Sequence, residues 1–136
     1  MMFHRDGTLP ESGGWVFVFG SNLAGRHGAG AAKVAAHQFG ALRGHGAGRY
    51  GRSYAIPTKD SELRTLGLHH IRAHVETFKG VARLDRWAHY FVTRIGCGLA
   101  GYLDREIAPM FADAPDNCSF AEQWRPFLER SREGSE

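Results

Sequence analysis

Apolar residues along the chain fall into two patterns, continuous runs and runs with helical spacing. The clearest continuous run is WVFVF at residues 15–19, which stops at Gly20. A run of this kind is typical of a strand that is buried on both faces of a sheet. Similar runs predict further strands at residues 53–57, 88–95 and 118–120.

Helical spacing occurs between these predicted strands. From Gly30 to Gly40 apolar residues recur on one helical face, and Gly40 stands where a C-terminal cap belongs. Two shorter helices are predicted, one that begins after a cap at Asp104 and one from Glu122 to about Arg130. Strands and helices alternate, which predicts a three-layer α/β domain. The longest predicted helix has a buried stripe that consists of Leu68, Ile71, Val75, Phe78 and Ala82.

The length of 136 residues fits one domain, and the hydrophobic fraction of 43% and charged fraction of 23% are ordinary for a globular protein. We expect a flexible segment over residues 1–14, a single domain over 15–130 and a frayed tail over 131–136. No apolar run approaches the ~20 residues of a membrane span. Two cysteines are too few for a disulfide framework, so we expect a reduced, cytoplasmic protein that does not contact a membrane.

The glycine content is unusual, because the chain has 18 glycines, about twice the average usage. They cluster at residues 20–30, 40–51 and 96–101, and such clusters indicate a close approach of the backbone to another group. The first and last clusters each follow a predicted strand and precede a predicted helix. The start of a helix presents free amide groups and the positive end of the helix dipole. We therefore predict that these two loops hold a diphosphate.

The loops do not match the common nucleotide-binding motifs. Lys33 follows Gly30 by three positions, and Val34 stands where a Walker loop needs a hydroxyl for magnesium. A dinucleotide fingerprint needs a glycine at the position of Lys33 and an acidic residue about twenty positions later, and none occurs before Asp60. The net charge of +3 favours an anionic partner without distinguishing a nucleic acid from a phosphorylated small molecule.

Metal chemistry is also disfavoured. His70 and His74 stand four residues apart on a predicted helix, beside His69, but a third ligand is missing from the pattern. We expect these histidines to lie on a solvated helix face. The prediction is therefore a protein without a metal or a cofactor.

Three segments together resemble a known family. They are GAGAA at residues 28–32, YAIPTK at 54–59 and TRIGCGL at 93–99. In order, spacing and content they resemble macrodomains, in particular the terminal ADP-ribose glycohydrolases and the DNA ADP-ribosyl glycohydrolases of the DarG type. The resemblance covers about residues 15–112.

The resemblance implies a macrodomain-like α/β/α fold with a mixed central sheet, and a partner that is ADP-ribose or an ADP-ribosylated macromolecule, DNA and RNA included. By similarity, Asn22 lies where the first loop meets the distal ribose. Lys59 lies at the position of a catalytic lysine that attacks the distal ribose, for which its amine must be neutral. The other implied ligand-binding residues are Gly28, Ala29 and Gly30 near the distal ribose and phosphate, and Gly96, Cys97, Gly98, Leu99, Ala100 and Gly101 around the diphosphate.

The chain departs from this family in two places. Members of the eukaryotic type have an aspartate after GCGL that acts with the lysine, and here Ala100 follows instead. Proteins of the DarG type also have a small residue there, and Asp60 and Asp104 are alternative carboxylates. Near the N-terminus, only Asp6 is placed to act as the aspartate that binds adenine in many macrodomains.

Two side chains beside the last glycine loop have alternative interpretations. Cys97 lacks an evident histidine and acid partner, so we expect a small packed residue rather than a nucleophile. Tyr102 either stacks on a ribose or base of the ligand or covers the loop.

Three functions stay open at this point. The first is a hydrolase that uses Lys59, and the second is a module that binds ADP-ribose or another phosphorylated nucleoside without turnover. The third is a small basic protein that contacts nucleic acid through Arg43, Arg49 and Arg52. We otherwise expect these three arginines to lie in a solvated loop over the cleft.

Overall fold

The computed structural model describes the backbone of residues 2–11 and 13–134, and side chains as far as residue 129. Within these residues the chain forms one six-stranded sheet, four α-helices and two short 3₁₀ helices. The strands are β1 (Met2–His4), β2 (Trp15–Asn22), β3 (Gly48–Tyr50), β4 (Ser53–Lys59), β5 (His89–Val92) and β6 (Cys118–Ala121). The helices are α1 (Gly30–Gln38), α2 (Leu68–Leu84), α3 (Asp104–Ile107) and α4 (Arg125–Gly134), with 3₁₀ helices at Ala108–Phe111 and Glu122–Trp124.

The sheet has the order β1-β6-β5-β2-β4-β3. All neighbouring strands are parallel except β3, which pairs with β4 in the antiparallel sense, so the sheet is mixed. Of the described helices, α1 packs on one face of the sheet and α2, α3 and α4 pack on the other. This arrangement is a three-layer α/β/α fold, as the alternation of predicted strands and helices indicated.

The strand β2 shows why the central apolar run is continuous. Val16 and Val18 belong to the larger core beneath α2, whereas Phe17 and Phe19 belong to the smaller core beneath α1. Successive side chains of a strand point to opposite faces, so a central strand with helices on both sides is apolar throughout. The prediction of a strand buried on both faces is confirmed.

Most other predicted elements are also present. The strands predicted at 53–57 and 118–120 correspond to β4 and β6, and the run at 88–95 corresponds to the shorter β5. The helix α1 ends at a C-cap on Phe39, and Gly40 follows with a φ of +77°, which is the left-handed conformation expected after a helix. In α2 the predicted stripe is buried except for Leu68, which is half-buried.

Several features differ from the predictions. The segment that we expected to be flexible contains β1, because Met2–His4 pairs in parallel with β6. Asp104 is the first residue of α3, and the N-cap is Leu103. The backbone of residues 131–134 continues α4, whereas residues 1, 12, 135 and 136, which were assigned to the flexible segment and the frayed tail, lie outside the described residues.

Candidate ligand-binding cleft

A cleft of about 780 Å³ lies along the face of the sheet that α1 covers. It runs over the C-terminal ends of the parallel strands, where Asn22 ends β2, Lys59 ends β4 and Thr93 follows β5. Ligands of open α/β sheets bind at this edge, and the volume is in the range of small-molecule sites. The topology of the sheet therefore brings together loops that are far apart in sequence.

The first glycine loop links β2 to α1 and forms one wall of the cleft. The Asn22 side chain closes the loop on itself, because its Oδ1 accepts the Arg26 amide at 2.9 Å and its Nδ2 donates to the Arg26 carbonyl at 2.8 Å. Gly28, Ala29 and Gly30 follow, exposed along the cleft, and no side chain caps the start of α1 at Ala29. The start of this nine-residue helix therefore presents amide groups to the cleft.

The middle glycine cluster contacts protein rather than the cleft. Gly46 lies so close to Asn22 that a Cβ atom added there would overlap the Asn22 carbonyl group. Gly25 meets the backbone of Gly44 and His45 in the same way. The close approach predicted for this cluster is thus an approach of one loop to another, and it fixes the backbone of Asn22.

The last glycine loop forms the facing wall. Gly96 has a φ of +76°, a conformation that favours glycine, and a Cβ atom there would lie 3.1 Å from the Cδ1 atom of Ile107. Two turns follow, closed by bonds from the Cys97 amide to the Arg94 carbonyl (3.1 Å) and from the Gly101 amide to the Gly98 carbonyl (3.0 Å). In this loop, three successive backbone amide groups have no hydrogen-bond acceptor among the described residues. These amides belong to Gly98, Leu99 and Ala100, all of which line the cleft.

Asp104 and Arg94 form an ion pair next to this loop. Arg94 forms a bidentate pair with Asp104, from Nε to Oδ1 at 2.9 Å and from Nη2 to Oδ2 at 2.8 Å, and Trp124 Nε1 donates to Asp104 Oδ1 at 2.8 Å. Burial opposes ionisation of Asp104, but these hydrogen bonds hold its pKa below the usual range. Asp104 is therefore a fixed counterion of Arg94, which corrects its prediction as a helix cap. Arg94 also reaches Asp6 Oδ2 at 3.3 Å.

Lys59 lies half-exposed in the cleft, and its side-chain nitrogen has no hydrogen-bond or ion-pair partner among the described residues. The neighbouring Asp60 faces its own turn, because its Oδ1 accepts the Glu62 and Arg64 amides at 2.9 Å each. These hydrogen bonds lower the pKa of Asp60, and the bond from the Arg64 amide contributes most. Within the described residues, Asp6 is the one carboxylate that lines the cleft.

The end of the cleft away from Lys59 is aromatic. The Phe17 and Phe91 rings are nearly parallel with centroids 6.2 Å apart, and the His4 ring stacks on Phe91 at 3.7 Å. Burial lowers the pKa of His4 to about 4, so the ring is neutral at neutral pH. Sequence reasoning treated Phe17 and Phe91 only as core residues. The signal that it missed is the run of small residues in α1, since Ala31 and Ala32 leave space above the rings.

Ten of the twelve predicted site residues line this one cleft. Gly101 and Tyr102 do not, because Tyr102 packs against the larger core and its hydroxyl donates to the Leu66 carbonyl at 2.6 Å. Tyr102 therefore covers the loop from the protein side. The ten residues are Asn22, Gly28, Ala29, Gly30, Lys59, Gly96, Cys97, Gly98, Leu99 and Ala100.

Other candidate residues have structural partners. Burial raises the pKa of the Cys97 thiol to about 12, and its Sγ lies 3.6 Å from the Ile95 carbonyl oxygen, as expected of a packed residue. Arg49 pairs with Asp85 at 3.0 Å, and Arg52 donates to the Gln38 carbonyl at 3.2 Å. The three arginines of the middle glycine cluster do not line the cleft, so the loop that carries them does not lie over it.

The described residues contain no cluster of three or more side chains of the types that hold metals, and none of their helices has the length and apolar character needed to cross a membrane. No protein-family model matches the sequence, and no curated protein matches it either.

Proposed function

We propose that the cleft binds ADP-ribose or an ADP-ribosylated group, and that Lys59 takes part in hydrolysis of the linkage. The observation that carries the proposal is the row of three amide groups without acceptors at Gly98, Leu99 and Ala100, opposite the uncapped start of α1. Backbone amides in such an arrangement bind phosphate oxygens. Two amide-bearing walls across one cleft suit a diphosphate.

The order of the strands supports an orientation for the ligand. From β1 across β5 and β2 to β4, the cleft passes from the aromatic end at His4 and Phe91 to the polar end at Asn22 and Lys59. A planar base packs well against stacked rings, and the carboxylate of Asp6 lies near that end to accept from an amino group. The diphosphate then lies between the glycine loops, and the distal ribose lies beside Lys59.

In the proposed hydrolysis, the side-chain nitrogen of Lys59 is the nucleophile beside the distal ribose. The nitrogen attacks the anomeric carbon, the C–N bond forms, and the bond to the linked group breaks with its electron pair passing to that group. The leaving group takes the proton that the nitrogen loses. Water then adds its hydroxyl to the carbon while the nitrogen recovers a proton, so the net reaction consumes one water and regenerates the lysine.

Calorimetric titration with ADP-ribose, AMP and ADP tests binding first. We expect ADP-ribose to bind more tightly than AMP and ADP, because only ADP-ribose reaches both ends of the cleft. Turnover is then measured on ADP-ribosylated DNA and protein with the parent chain and with Lys59→Ala. We expect Lys59→Ala to lose at least ~100-fold in turnover and to retain ADP-ribose binding. Binding of AMP or ADP as tight as that of ADP-ribose would contradict the proposal.

A second candidate is a binding module without turnover. It is favoured by the absence of a free carboxylate near Lys59 among the described residues, since Ala100 replaces the expected acid and both Asp60 and Asp104 are engaged elsewhere. A parent protein that binds ADP-ribose and cleaves neither ADP-ribosylated DNA nor protein would support this candidate. Turnover that depends on Lys59 would exclude it.

A further inference from the structure

The turn after Lys59 carries a strained leucine at the mouth of the cleft. Leu63 has a φ of +66° and is the one non-glycine residue in the left-handed region within the described chain. Its side chain is 41% exposed and lines the cleft. A leucine in this conformation is strained, and such residues are concentrated at functional sites.

Several bonds hold Leu63 in this position. The Asp60 amide donates to the Arg64 carbonyl at 2.8 Å, and the Leu63 amide donates to the Asp60 carbonyl at 3.1 Å. The Asp60 carboxylate also accepts the Glu62 and Arg64 amides, and Lys59 forms an isolated bridge with Thr65. The turn is thus ordered by its own backbone, while the Leu63 side chain remains exposed.

The turn is also joined to the last glycine loop. Thr65 Oγ1 donates to the Ala100 carbonyl at 3.3 Å, and the Tyr102 hydroxyl donates to the Leu66 carbonyl at 2.6 Å. Leu99, which is 72% exposed, lines the same cleft from that loop. The two loops therefore form one connected rim, which we call the leucine rim and define by Leu63 and Leu99.

We propose that Leu63 of the leucine rim is a specificity-determining residue that contacts the group attached to the distal ribose and selects an uncharged group there. The inference rests on the proposed function, because it places the distal ribose beside Lys59. Binding is favoured when apolar ligand surface covers an exposed apolar side chain. A carboxylate covered by leucine disfavours binding, because it loses its hydration and leucine offers it no hydrogen-bond donor. Charge acts in the opposite direction, since Arg26 lines the cleft and attracts a carboxylate.

The experiment compares two probes in which the anomeric carbon of ADP-ribose carries a phenyl ether or the same ether with a para-carboxylate. Dissociation constants are measured by competition with labelled ADP-ribose, or kcat/KM values are compared if the probes are cleaved. We expect the parent to prefer the uncharged probe by about tenfold. Leu63→Asn and Leu63→Gly both tolerate a positive φ, and in each we expect this preference to fall to within about twofold.

Two controls separate a direct contact from a structural effect. Leu84→Asn changes an equally apolar residue that is 90% exposed and does not line the cleft, so it leaves the preference unchanged. Free ADP-ribose lacks the attached group, so its affinity changes less than about twofold in the Leu63 variants. An equal loss of affinity for free ADP-ribose and for both probes in both Leu63 variants would show a structural role and overturn the inference.

The remaining outcomes distinguish this inference from the proposed function. A parent that binds ADP-ribose but prefers the carboxylate probe, or shows no preference, overturns the role of Leu63 and leaves the proposed function standing. A parent that does not bind ADP-ribose overturns the proposed function and the inference with it.

Discussion

The two faces of the central sheet are built differently. On one face α2, α3 and α4 cover a large core in which Phe78 contacts three other aromatic rings. On the other face α1 contributes mainly alanines, and the Phe17 and Phe91 rings reach the cleft although they are largely buried. Large side chains fill the space between a sheet and its helices, and small ones leave it open. One face of the sheet is therefore filled by the packed core, whereas the other face leaves an open cleft.

The largest expected effect comes from removing an aromatic ring on each face in turn. Phe78→Ala opens a closed cavity, so we expect the free energy of unfolding to fall by about 3–5 kcal/mol. The space that Phe91→Ala leaves joins a cleft that is already open to solvent, so we expect a smaller loss of stability. We also expect this variant to lose ligand binding. Denaturant unfolding and titration with ADP-ribose measure both quantities. Equal losses of stability in the two variants would contradict this difference between the two faces.

Substitutions at two glycines are expected to change stability by an intermediate amount. Gly46→Ala places a Cβ atom onto the Asn22 carbonyl, so we expect a loss of about 1–3 kcal/mol in stability and a disturbed first loop with weaker ligand binding. Gly80→Ala lies within α2, and a Cβ atom there meets no atom within 4 Å. In that control we expect a gain of about 0.5–1 kcal/mol, because alanine favours the helix. Thermal unfolding and ADP-ribose titration of both variants check these signs.

The smallest expected effect is a dependence of stability on pH, caused by His4 on the cleft side of the sheet. In the unfolded chain His4 takes up a proton near the ordinary histidine pKa of 6.5, whereas burial lowers the pKa of folded His4 to about 4. The unfolded state therefore binds more protons between these values, and stability falls as the pH decreases from about 6.5 to 4. We expect His4→Gln to flatten this slope by on the order of 1 kcal/mol over that range. Unfolding at several pH values measures it, and an unchanged slope would contradict the prediction.

Much of the fold was predictable because its patterns are local. The apolar run at 15–19, the stripe of α2 and the glycine after α1 each depend on neighbours in sequence. The short edge strands β1 and β3 were missed, since three residues show no periodicity and pair only with distant strands or across a tight turn. The two glycine loops of the site were also predictable, because each lies between a strand and a helix.

The partners of polar side chains were decided only by the tertiary structure. Asp104 binds Arg94 and Trp124 rather than capping a helix, and Tyr102 binds the Leu66 carbonyl rather than facing the cleft. These contacts join residues 10 to 36 positions apart, and the choice among several possible partners depends on which groups packing brings within bonding distance.

Local sequence patterns were therefore enough to predict the layers, the central strands and the two loops that form the cleft walls. Three other features depended on the assembled sheet. The order of its strands sets the direction of the cleft from His4 to Lys59, the middle glycine cluster supports Asn22, and the turn after Lys59 holds Leu63 at the mouth. The physical reason is that propensity and periodicity act between neighbours along the chain, whereas the shape of a cleft arises from packing between distant segments.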